Sequence, residues 1–109
     1  MTSTQQMTES EIQDQNDVDL LRGLAACHLS YGGTAAAREL LELARMIKPN
    51  DGPTLVLLAR AQAQSGDLVR AATLMAEATG LIGKLSSVDL NFARYLRERL
   101  ERAAKFAST

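Results

Sequence analysis

The chain of 109 residues has little of what enzyme chemistry draws on: one cysteine, one histidine, no tryptophan, and only two each of tyrosine and phenylalanine. A lone cysteine, Cys27, excludes an internal disulfide and fits a reducing compartment. A metal site takes three or four ligands, and His28 has only Cys27 beside it. Neighbours on a helix point about 100° apart, so the two do not face each other as a nucleophile and base would. The expectation is that Cys27 packs in the core and that His28 is a wall residue. Gly32-Gly33-Thr34 lacks the lysine and preceding strand of a phosphate loop and reads as a helix connection. Acid pairs such as Glu39 and Glu42 belong to a solvated helix face. No catalytic, cofactor-binding or metal-ligating residue emerges, and the chain reads as a non-enzyme.

Other absences narrow the class. No apolar run approaches the roughly 18 residues that span a bilayer. The first residues carry neither a basic segment nor an apolar one, so no secretory signal is expected. A net charge of −1 argues against a general role on nucleic acid or at a membrane surface. β-Branched residues are sparse, which disfavours strands. The expected protein is cytoplasmic and all-α.

What is present is a repeat. The stretch LRGLAACHLSYGGTAAARELLELARMIKP runs from Leu21 to Pro49 and reads as helix, turn, helix and stop. A second copy spans Leu55 to Gly83, offset by about 34 residues, the period of a tetratricopeptide repeat. Leu21, Leu24, Ala25 and His28 take the places of the motif's Trp, Leu, Gly and Tyr; Ala37, Leu41, Ala44 and Pro49 take those of its second half. The second copy supplies Leu55, Leu58, Ala59 and Gln62, then Ala71, Met75, Ala78 and Gly83. Small residues at 25, 37, 59 and 71 let helices cross closely, and Leu24, Leu41, Leu58 and Met75 fill the space around the crossings. The motif's Trp and Tyr are missing from both copies.

In chain order, residues 1–15 are Ser, Thr, Gln and acid with little to bury, and read as a flexible polar tail. Five acids, Glu9 to Asp19, precede the first base, Arg22. A single domain over 16–109 then divides into repeat one (18–51), repeat two (52–85) and a capping helix (86–107). Helix one is expected to start at Asn16 or Asp17. Caps are expected from Thr34, Asp51, Asp67 and Ser86. The last helix carries a stripe of Val88, Phe92, Tyr95, Leu96, Leu100, Ala103 and Ala107 beside a basic face, and reads as a cap or as the first helix of an incomplete third repeat.

The functional candidate is the concave groove that the first helices of such repeats line. By register it consists of Arg22, Ala26 and Leu29, followed by Val56, Arg60, Ala63 and Gln64. Small and apolar positions between two arginines suit an amphipathic helix or an extended segment with acidic flanks.

A chain of this length and charge with two degenerate repeats resembles the small cytoplasmic chaperones of bacterial type III secretion. The segment LLRGLAACHLSYGGTAAARELLELARMIKPNDGPTLVLLARAQAQSGDLVRAA is most similar to the YscY type, with the YscG-type needle co-chaperones as a second choice. The resemblance implies a role in protein transport and virulence. It also implies a heterodimer or small hetero-oligomer with a small helical secretion substrate or co-chaperone, without nucleic acid, cofactor or membrane insertion. The alternative is a repeat adaptor that scaffolds a larger assembly.

Overall fold

Thr8 opens the first helix. Its hydroxyl accepts from the Glu11 backbone N–H at 3.1 Å and donates to the Glu11 carboxylate at 3.2 Å, a variant of the box that satisfies orphan donors at a helix start. The computed structural model describes residues 8–107 and contains five helices: α1 Glu9–Ser30, α2 Thr34–Ile47, α3 Gly52–Gln64, α4 Leu68–Ile82 and α5 Ser87–Ala107. There is no strand among the described residues, as the composition led one to expect.

The start of α1 corrects the expected one. The stretch 9–15, read as the end of a polar tail, is helical, while residues 1–7 lie outside the described residues. The reason is local. Glu9 and Glu11 suit the positive end of the helix. Gln13 donates to Asp17 and Gln15 to Asp19, each at 2.8 Å and four residues apart. Gln15 also accepts from Lys48, next to the end of α2. Polar bonds along and beside the helix thus do what apolar burial does elsewhere.

The other caps follow the sequence with one exception. The carboxylates of Asp51 and Asp67 accept from the backbone N–H of Thr54 and Arg70, and the Ser86 hydroxyl accepts from that of Asp89. Thr34 is the exception. Gly33 takes the cap position of α2, and the Thr34 hydroxyl instead donates to Gln64 Oε1 at 2.8 Å, joining the start of α2 to the end of α3. Gly32 and Gly66 close α1 and α3 with φ of +79° and +90°, a conformation that disfavours any residue with a Cβ. They occupy the same place in the two copies.

α1 packs on α2, α3 on α4, α2 on α3, and α5 on α4, with a further contact between α1 and α3. Ala25, Ala37, Leu41, Ala44, Leu55, Leu58, Ala59, Ala71, Met75 and Ala78 are buried, so most motif positions lie in the core. Leu24 does not: it is 44% exposed. α1 turns Val18 and Ala25 fully inward, with Leu21 and Leu29 half-buried. Leu24, one step of about 100° from Ala25, is thereby placed at the edge. Cys27, expected in the core, is two steps from Ala25 and is exposed, as is His28.

α5 covers less than its stripe suggested. Leu96 is buried and Phe92 and Leu100 are half-buried, whereas Val88, Tyr95, Ala103 and Ala107 are exposed. Every residue from Glu101 to Ala107 is exposed. α5 therefore docks through its middle, around Leu96.

Candidate functional site

The helices α1, α3 and α5 are linked in order. Arg22 of α1 lies 3.4 Å from Asp51 at the start of α3. Arg60 of α3 donates to Asp89 of α5 at 3.1 Å, and its guanidinium sits 4.5 Å from the centre of the Phe92 ring. Gln64, at the end of α3, donates to the Leu29 carbonyl at 3.5 Å while accepting from Thr34. These contacts tie α1 to α3 at two places and bring the first turns of α5 alongside α3.

They leave a depression of about 280 Å³ lined by Leu29, Arg60, Ala63, Gln64, Phe92 and Tyr95. Four of the seven residues expected from repeat register therefore come together: Leu29, Arg60, Ala63 and Gln64. Ala26 is half-buried on α1 and does not line this depression. Val56 does not line it either; it is buried in the core cluster with Leu55 and Leu58. Arg22 is also outside it: it pairs with Asp19 and Asp51, and its Nε is buried 3.4 Å from the Asp51 carboxylate without a hydrogen bond.

Phe92 and Tyr95 complete the site. The sequence placed them on the packing stripe of the last helix. The signal that they serve as lining was their spacing: two of the four aromatic rings of the chain stand three residues apart, on one face of a helix. A half-exposed tyrosine beside a half-buried phenylalanine offers rigid apolar area with a polar tip. Arg60 plays a different part from the one expected. Ion-paired to Asp89 and stacked on Phe92, it is part of the wall of the depression.

The charge around α1 is ordered by short contacts. Gln15 donates to Asp19 and so favours the ionised carboxylate; Arg22, hydrogen-bonded to the same oxygen, adds to this. Together they hold the Asp19 carboxyl below the ordinary aspartate range.

The depression offers apolar surface, an amide and a guanidinium, a set suited to a small group with an apolar body and a polar tip. Among the described residues no three His, Cys, Asp or Glu side chains cluster as metal ligands would, and no helix is long and apolar enough to cross a membrane. No protein-family model, curated protein or solved structure matches the chain.

Proposed function

We propose that the chain is a tetratricopeptide-type protein-binding module that acts as a cytoplasmic chaperone of type III secretion, sheltering a short helical segment of a secretion substrate or export component. The observation that carries the binding reading is the depression between α1, α3 and α5, where Leu29, Ala63, Phe92 and Tyr95 give apolar area and Arg60 and Gln64 give donors. The repeat reading is supported by the buried pairs Ala25/Ala59, Ala37/Ala71, Leu41/Met75 and Ala44/Ala78 and by the positive-φ pair Gly32/Gly66, which recur in register. The secretion reading rests on the resemblance of the two-repeat segment to the YscY-type chaperones.

The fitting guest is a short amphipathic helix or extended segment. A depression of this size takes one or two side chains, so affinity depends on one well-buried anchor. The test is purification of the tagged chain from its native cytoplasm, wild type beside Ala63→Trp, with mass spectrometry of the co-eluting protein. The expected result is one small helical protein in near-equal amount, lost from the variant. Large machine components without such a protein would favour the adaptor reading. A small protein retained by Ala63→Trp would move the site off this depression.

A further inference from the structure

The other side of α5 carries a second groove. α4 contributes Ala72, Met75, Ala76 and Thr79, and α5 contributes Ala93, Leu96, Arg97, Leu100 and Glu101, around a cavity of about 350 Å³. A smaller depression of about 230 Å³, lined by Leu90, Ala93, Arg94 and Arg97, continues it toward the start of α5. The two share Ala93 and Arg97 and together follow α5 from Leu90 to Glu101, roughly 17 Å at 1.5 Å per residue. α3 is flanked by α4 and buries most of its apolar residues; α5 has no following helix among the described residues, and only Leu96 of it is buried. Apart from Thr79, Arg94, Arg97 and Glu101 the walls are small or apolar, so a backbone can approach closely.

The charge along this groove selects the occupant. Arg94, Arg97 and Arg102 are exposed and have no carboxylate within ion-pair distance among the described residues. Glu101 is the one acid in the lining. We infer that the α4–α5 groove binds an amphipathic helix of a partner protein, about three to four turns long, whose apolar stripe is flanked by acidic residues. It lies where the next helix of the stack would pack, and its carboxylates meet Arg94 and Arg97. The inference rests on the protein-binding reading but uses a different surface from the α1–α3–α5 depression.

The probe is a synthetic peptide of about 15 residues with a Leu/Ala stripe at i, i+3, i+4 and i+7 and glutamates on both flanks. Two controls are used: the same stripe flanked by lysines, and the glutamate peptide with its stripe scrambled. Binding to the full chain is followed by fluorescence anisotropy. Ala76 is exposed, so Ala76→Trp fills the groove without entering the core; Arg97→Glu reverses the charge at a surface position. The expected result is that the glutamate peptide binds tightest and weakens about tenfold or more on Ala76→Trp. Arg97→Glu is expected to shift preference toward the lysine peptide, while Ala63→Trp leaves peptide binding unchanged. Equal binding of both charged peptides to the wild type would overturn the inference, as would unchanged affinity in both groove variants. A concentration-dependent dimer abolished by Ala76→Trp would overturn it too, because a second copy would then own the groove. Loss of the glutamate peptide on Ala63→Trp alone would locate binding in the other depression.

Discussion

Arg60 and Asp89 meet at 3.1 Å across 29 residues of sequence, and Arg22 and Asp51 meet at 3.4 Å across the same spacing. Each pair ties the middle of one helix to the start of the helix two further along, so a single device is used twice, at α1–α3 and at α3–α5. In the second pair the arginine also stacks on Phe92, which adds a link to α3 beside the packing of Leu96 in the core.

Removing that link should loosen α5. Both side chains of the pair are partly exposed, and solvent screening limits the ion pair to about 0.5–1 kcal/mol; the stacking adds a similar amount. Arg60→Ala is therefore expected to cost about 1–2 kcal/mol and Asp89→Asn about half of that. Amide exchange should rise across α5 more than across α3. Unchanged exchange in α5 would mean that Leu96 and Phe92 hold it by packing alone.

The crossing alanines should be far less tolerant than the leucine at the edge. Ala37→Leu and Ala71→Leu place bulk into sites with no exposed surface and are expected to cost about 1–3 kcal/mol each. Leu24→Ala, at a half-exposed position, is expected to cost less than about 1 kcal/mol. Thermal melts of the three variants check the order; a Leu24→Ala loss equal to the others would contradict the facing of α1.

Thr8→Ala removes the cap of α1, a change that costs about 0.5–2 kcal/mol of helix stability. The loss should be local. Circular dichroism should fall slightly and amide protection over residues 9–15 should vanish, with the main melting transition in place, because none of those residues is buried.

Asp19 gives a pH signature. Its folded carboxyl lies below the ordinary aspartate value of 3.8, chiefly through the Gln15 hydrogen bond and then through Arg22. A depressed acid contributes stability that is fully present above its unfolded pKa and is lost as pH falls through the folded one. Carbon-detected titration should place the Asp19 midpoint below 3.8, and Gln15→Ala should raise it. A midpoint unmoved by Gln15→Ala would assign the shift to Arg22.

Most of the helical layout was legible because it is written in local chemistry. Asp51, Asp67 and Ser86 announce helix starts, glycines at 32, 66 and 83 mark ends, and alanines recur at a fixed period. What was hidden depended on which partner each side chain takes and which face of its helix turns inward. Thr34 looks like a cap but bonds to Gln64, a residue thirty positions on. Gln13 and Gln15 look like tail residues but brace a helix through Asp17 and Asp19. Leu24 matches the motif and yet faces outward, since the inward face of α1 is fixed by Val18 and Ala25. Of the lining expected from repeat register, Leu29, Arg60, Ala63 and Gln64 face the depression and Ala26 does not; Phe92 and Tyr95, which share it, belong to a helix that departs from the motif. Register also placed Val56 and Arg22 in a lining that packing and ion pairing withhold from them.

The most direct test of the binding account is hydrogen–deuterium exchange of the chain alone and with its co-purified partner. The account predicts that partner binding protects the ends of α1 and α3 near Leu29 and Ala63 together with the Phe92–Tyr95 turn of α5. Protection confined to the outer faces of α2 and α4, with those three segments unchanged, would contradict it.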